Sequence, residues 1–390
     1  MVGRSRLRDV AARAGVSVAT ASRVLNGTYT GIPVSEQTRQ RVLRAAAELQ
    51  YQPNAAARAL GSRRTETIAL VIPVIEDDQH YFHRLSHLKL SEVLSGIYSV
   101  AHHRDYRLLI LMADQRFLHT RPYLRLWRGA AVDGIIWWSV PLDPDFLASG
   151  CPVVALNTRQ DDVVHHYVIV DNRGGARRMV DHLVDLGHRR IGFIAGPDEF
   201  FDVRERLAGY CEAMAAHGLE PLIERGDLFP ASGAQAVQRL LTRQPPPTAI
   251  FAANDLMAIG ATCAAQALGY RIPEQLALVG ADGLDQLDYF RPGISTLQTW
   301  MHRAAALATE RLLGLVRGEL TGQIAEVLPV DLVIRETCGY RQRYGTEVEG
   351  RRPGALVPPL ERWRFPAVLF PTGSLAPRAA GNSPEAPDEA

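Results

Sequence analysis

From Thr67 onward the chain alternates apolar runs of strand length with stretches of helical periodicity, and this rhythm restricts the fold more than any other feature. The runs are IALVI (68–72), RLLILM (107–112), GIIWW (134–138), VVALN (153–157), YVIVD (167–171), RIGFIAG (190–196), TAIFAAN (248–254) and LALVGAD (276–282). Helical patterns at 173–186, 204–217, 255–268 and 301–317 lie between them. A strand that is apolar at every residue is buried on both faces, as in a parallel sheet covered by helices. The pattern continues to about residue 340, too long for one small sheet, so two linked lobes are expected, each a doubly wound parallel sheet.

The first 64 residues have a different character. In the stretch LRDVAARAGVSVATASRVL (7–25), Val10, Ala11 and Ala14 recur at helical spacing until Gly15-Val16 breaks the pattern. Ser17 is a good N-cap for a second short helix that turns Ala21, Val24 and Leu25 inward. Two short helices joined by a glycine turn form a helix-turn-helix, whose second helix is sized for the DNA major groove. Val18, Ala19, Thr20, Ser22 and Arg23 are left on its outer face, flanked by Ser17 and Asn26. A third helix from Ser35 to about Leu49 closes the core with Val42, Ala46 and Leu49. Eleven arginines against three acidic residues leave residues 1–64 at +8, in a chain whose total is +1. That is the footprint of a phosphate-binding module, so double-stranded DNA is the expected partner.

The expected division is a headpiece at 5–52, a hinge and linker at 53–64, a two-lobed domain at 65–340 and a disordered tail at 341–390. The tail holds eight of the chain's 24 prolines. Of 43 basic residues only Lys89 is lysine, which reflects base composition more than function. No apolar stretch approaches the ~20 residues of a membrane span. The opening MVGRSRLRD has no apolar run behind its positive charge, so a cytoplasmic protein is expected. Cys151, Cys211, Cys263 and Cys338 lie far apart and suggest neither zinc nor disulfides. His80, His83 and His87 have helical spacing but no accompanying Cys or carboxylate motif, and no metal or other cofactor is expected. No nucleotide-binding or hydrolase motif is present, so catalysis is not expected. Asp282, Asp285 and Asp288 lack a matched nucleophile and read as a solvated loop.

Ligands of open α/β sheets bind beyond the carboxyl ends of the strands. Asn157, Asn254 and Asp282 each end an apolar run and so converge on one edge, with the planar donor fork of Arg206 beside them. That set suits a polyhydroxy ligand such as a sugar. Asn157 also fits a turn cap, and Asn254 fits the N-cap of a helix beginning at Asp255.

In these residues the chain resembles the LacI/GalR family of bacterial transcriptional repressors. The matching stretches are 9–27, 34–60, DNRGGARRMVDHLVDLGHRRIGFIAG (171–196), RLAGY (206–210), AANDLMAIG (252–260) and LALVGADG (276–283). The resemblance implies a headpiece, a hinge helix, and a domain shaped like a periplasmic sugar-binding protein. It further implies dimers on a palindromic operator, released or retained according to a small effector. By position it assigns base reading to Val18 and Ala19, with Thr20 and Arg23 beside them. It places Asn54, Ala57, Arg58 and Leu60 in the hinge helix, with Leu60 wedged into the minor groove and Asn54 and Arg58 facing phosphates. It makes Arg206 and Asp282 the main effector contacts. Two departures border that pocket: Gln79-His80-Tyr81-Phe82 stands where the family has Asn-Pro-Phe-Phe, and Leu228-Phe229 stands where it often has one aromatic. Tyr81, Phe82 and Phe229 are therefore included among the effector residues. The tail lacks a leucine heptad, so a dimer is expected. A regulator using a nucleobase as corepressor, an exported solute-binding protein and a sugar-acting enzyme are the competing readings.

Overall fold

A computed structural model describes residues 5–26, 34–51, 64–73, 88–160, 162–163, 165–340 and 343. At the N-terminus, α1 (Leu7–Ala14), α2 (Val18–Asn26) and α3 (Glu36–Glu48) bury Val10, Ala11, Ala14, Ala21, Val24, Val42, Ala45 and Ala46 together. Gly15 ends α1 with φ +64, and Gly15 and Val16 donate back to Ala12 and Ala11. Only a residue without a Cβ adopts this left-handed cap cheaply, which is why the break falls at a glycine. Ser35 caps α3 by accepting from the Thr38 amide at 3.3 Å.

The first lobe begins with β1 (Thr67–Pro73), α4 (Leu88–Ala101), β2 (Arg107–Ala113), α5 (Gln115–Thr120) and α6 (Pro122–Arg128). It continues through β3 (Gly134–Trp138), α7 (Pro144–Leu147), β4 (Val153–Leu156) and β5 (Tyr167–Val170). The second lobe follows with α8 (Asn172–Asp185), β6 (Ile191–Ala195), α9 (Phe201–Ala216), β7 (Leu222–Arg225) and α10 (Pro230–Leu241). Then come β8 (Ala249–Ala252), α11 (Asp255–Ala267), β9 (Ala277–Asp282) and β10 (Ser295–Gln298). The chain returns through α12 (Met301–Arg317), β11 (Ala325–Leu328) and β12 (Asp331–Val333).

Both sheets have the same winding. The first runs β2-β1-β3-β4-β5-β11 and the second β7-β6-β8-β9-β10-β12 among the described residues. Every described pairing is parallel except that of β12 with β10. Burial on both faces is visible along β1: Ile68, Leu70 and Ile72 enter one core cluster, while Ala69 and Val71 enter the cluster on the opposite face.

The chain passes between lobes three times: from β5 to α8, from β10 to α12, and from β11 to β12. α12 follows a second-lobe strand yet buries Met301, Ala304, Ala305, Ala308, Leu312 and Leu313 in the first-lobe core. The crossings are tied to one another. Asp171 donates its amide to the Leu328 carbonyl at 2.9 Å, and the Trp300 indole donates to Asp331 at 2.9 Å. In the first lobe α4 lies directly on α12, because a Cβ on Gly96 would strike the His302 carbonyl.

α4 starts at Leu88, and Leu90 in its first turn enters the core. β7, β10, β11 and β12 were not among the expected strands. They are three or four residues long and carry polar side chains. β10, STLQ, is nonetheless fully buried, because Thr337, Arg335 and Asp255 satisfy its polar groups.

Candidate functional site

Of the five side chains expected on the outer face of the second headpiece helix, two are exposed and three are half-buried. Val18 is 49% exposed and Ala19 is exposed, whereas Thr20, Ser22 and Arg23 are half-buried. Ser17 accepts the Thr20 amide at 3.1 Å, and the two hydroxyls lie 2.9 Å apart, so the first turn of α2 is closed by its own cap. Asn26 is the last residue of α2. Arg13 pairs with Glu48 at 2.8 Å, binding α1 to α3 and committing that charge to the headpiece itself. Asn54, Ala57, Arg58, Leu60, Tyr81 and Phe82 lie outside the described residues, as do His80, His83 and His87.

In the two-lobed domain the parallel strands bring a chain of buried polar groups to their carboxyl ends. Arg206, two per cent exposed on α9, is the centre. Its Nε donates to Asn172 Oδ1 at 2.9 Å, Nη1 to the Ala253 carbonyl at 2.6 Å, and Nη2 to Asp282 Oδ1 at 3.0 Å. Asp202, one turn earlier on α9, stands 3.8 Å from Nη2. Asn172 opens α8 and donates to Asn157 Oδ1 at 3.3 Å and to the Val170 carbonyl. The network therefore runs from the end of β4 in the first lobe, through a crossing, to α9 and β9 in the second.

Three of the four central effector candidates, Asn157, Arg206 and Asp282, are thus joined. Asn157 lies just past β4 with φ +52. Asn254 is adjacent and makes one hydrogen bond through each end of its amide. Its Oδ1 accepts the Met257 amide and its Nδ2 donates to the Leu228 carbonyl, each at 2.9 Å. Phe229 is half-buried at the N-cap of α10, while Leu228 turns inward with φ +76. Asp285 is exposed and Asp288 pairs with Arg335 at 2.7 Å, so the three aspartates of 282–288 do not converge.

Sequence reasoning missed Asn172, Asp255 and Lys89. Asn172 carried the same signal as its neighbours, a polar residue just after an apolar run. Asp255 is fully buried and accepts from the Gly283 and Leu284 amides and the Thr296 hydroxyl, at 2.8, 2.9 and 2.6 Å. Burial, reinforced by the Asp282 charge, pushes its carboxyl up to about 6. Burial likewise raises Asp202 against the pull of Arg206. For Arg206, burial opposes the charge, but Asp282 and Asp202 outweigh it and hold the guanidinium above its ordinary value. The cluster is a desolvated set of acids organised around one guanidinium. A cavity of about 430 Å³ opens instead at the amino ends of first-lobe strands, beside Cys151, His165 and Gln323, and contains none of these groups.

Among the described residues no three His, Cys, Asp or Glu side chains are gathered as a metal site. Among the same residues no helix is long and apolar enough to cross a membrane.

Comparison with known proteins covers both parts of the chain. Residues 6–54 match the bacterial regulatory proteins of the lacI family, and residues 180–338 match the periplasmic binding protein-like domain. The transcriptional regulator CelR of Thermobifida fusca is 35% identical over 86% of this chain and 98% of its own length. The repressor CytR of Escherichia coli (strain K12) is 31% identical over 84% of this chain and 95% of its own. Among solved structures, the lac repressor dimer bound to operator and the anti-inducer ONPF has a TM-score of 0.75 at 29% identity, covering 86% of this chain and 99% of that one. A CelR–cellobiose complex has a TM-score of 0.64 at 33% identity, covering 86% and 100%. A charged three-helix headpiece followed by two sheets of identical winding, matched over 84–86% of the chain by such relatives, makes this chain a DNA-binding transcriptional regulator of the LacI family.

Proposed function

We propose that the protein is a dimeric cytoplasmic repressor that releases a palindromic operator when a sugar-sized effector occupies the cleft between its lobes. The observation that carries this reading is the buried Asn157–Asn172–Arg206–Asp282 chain, which spans both lobes at the carboxyl ends of their strands. Adjacent carboxylate and guanidinium groups offer acceptors and donors matched to vicinal hydroxyls. A guest held by groups from both lobes favours one lobe arrangement and so shifts the population of DNA-competent dimers. The complex of the related CelR with cellobiose supports a carbohydrate class. Catalysis has no role in this reading.

In the same reading Val18, Ala19, Thr20 and Arg23 read the major groove, with Ser17, Ser22 and Asn26 supporting them. The segment 53–60, with Asn54, Ala57, Arg58 and Leu60, is the hinge helix of this reading, formed when DNA and the partner chain hold it, and a linker follows to 64. Eight residues of helix-forming sequence are marginal alone in water. Leu60→Ala should then weaken operator binding more than random-DNA binding, and equal losses would refute the wedge.

The test of the whole is fluorescence anisotropy with fragments from the protein's own genome, with and without cellobiose, other sugars and nucleobases. Release on addition of a sugar is expected. Tightening by a nucleobase would replace the proposed sugar with a corepressor, and indifference to all DNA at low salt would overturn the regulatory reading.

A further inference from the structure

Lys89 is the only lysine in the chain, and it is three per cent exposed. It stands in the first turn of α4, a helix fastened to the first lobe by Leu90, Val93 and Ile97 and by the close approach of Gly96 to α12. Its ammonium reaches the other lobe. Nζ donates to the main-chain carbonyl of Asp282 at the end of β9, and to Glu92 Oε1 at 2.9 Å on its own helix. A buried ammonium is unfavourable unless paired and hydrogen-bonded, and an apolar side chain of similar length would fill the same space. A charge kept here has a directional task.

Asp282 shows what that task is. Its φ of +136 is a backbone conformation that a residue with a Cβ adopts only when its surroundings hold it. Its carbonyl accepts from the Thr299 hydroxyl at 3.0 Å and from Lys89, while its carboxylate accepts from Arg206. The Lys89 charge also acts on Asp255, drawing that carboxyl down against its burial. We infer that Lys89 is a positioning residue of the effector site. From the first lobe it fixes the Asp282 peptide of the second, and through it aims the carboxylate at the guest, so the site is complete only when the lobes are docked. This rests on the effector reading of the cleft. It adds that opening the lobes and losing recognition of the guest are one event.

Because no other side chain carries a primary amine, acetylation of the full-length protein with an N-hydroxysuccinimide ester, read by mass spectrometry of the Lys89 peptide, reports this contact without any sugar. Lys89 should react at least ~100-fold more slowly in the folded protein than in urea, since a buried, paired amine is withheld from the reagent. Calorimetry with cellobiose as probe supplies the second arm. Loss of a charged hydrogen bond predicts that Lys89→Met weakens cellobiose binding at least ~10-fold. Lys89→Arg, which keeps a cation able to reach a single carbonyl, should restore most of it, and a packing role would not show that rescue. Labelling as fast as in urea overturns the proposal. Slow labelling with wild-type affinity in Lys89→Met, or failure of Lys89→Arg to improve on Lys89→Met, reduces Lys89 to a structural strut and also overturns it. If the wild type takes no cellobiose, the carbohydrate reading falls, and the methionine and arginine comparison is repeated with whichever sugar or nucleobase releases or tightens the operator complex.

Discussion

Replacing Arg206 by methionine removes the charge at the centre of the cluster while keeping most of the stem. Three hydrogen bonds, of 2.6 to 3.0 Å, disappear together. Asp282, whose side chain is 9% exposed, loses its guanidinium partner, and Asp202 loses its nearest cation. Breaking a buried ion pair from one side typically destabilises by about 3–5 kcal/mol, because the remaining charge is left desolvated. For a domain of this size that corresponds to a fall in melting temperature of roughly 10 °C. Asp282→Ala should lower stability comparably by stranding the guanidinium. The double variant leaves neither charge unpaired with the other, so its loss should fall short of the sum by ~1–3 kcal/mol. Urea unfolding followed by circular dichroism measures all four proteins of the cycle. Additive losses, or an Arg206→Met cost below about 1 kcal/mol, would refute the view that these two side chains form one desolvated unit.

Two further outcomes follow from local geometry. Ser17→Ala removes the cap of α2 and should destabilise the headpiece by about 1 kcal/mol, with weaker operator binding but an unchanged response of the bound complex to effector; anisotropy and headpiece thermal melts check both. Asp255 titrates near 6 in the folded protein against an ordinary 3.8, so the native state holds this proton more tightly than the unfolded chain. Its contribution therefore opposes folding above pH 6 and is progressively relieved as the pH falls from 6 towards 4. The pH dependence of the unfolding free energy between 4 and 7 should be altered in Asp255→Asn by loss of that rise, and an unaltered slope would remove Asp255 from the titration.

The helix-turn-helix and the alternating strands and helices are set by nearest-neighbour chemistry, which is why they were legible in the chain. Ser17 caps the helix that follows it, Gly15 accepts the left-handed turn, and runs such as IALVI can be buried only between two layers. The carboxyl-end rule likewise points to Asn157, Asn254 and Asp282, whereas Arg206, inside a helix, is indicated by its donor fork and by the family resemblance. What the linear pattern could not convey was which polar groups would meet once the lobes were assembled. Lys89 and Asp282 are separated by 193 positions yet hydrogen-bonded, and STLQ becomes a buried strand only because Thr337, Arg335 and Asp255 arrive to satisfy it. Asn254 fits a helix cap and a ligand contact equally well in the sequence. The structure shows the cap to the Met257 amide and adds a bond from Nδ2 to the Leu228 carbonyl, which the linear pattern does not indicate. Local order follows from residues a few positions apart. The burial of charge, which raises Asp255 and pairs Arg206, depends on the distant segments that exclude water from it.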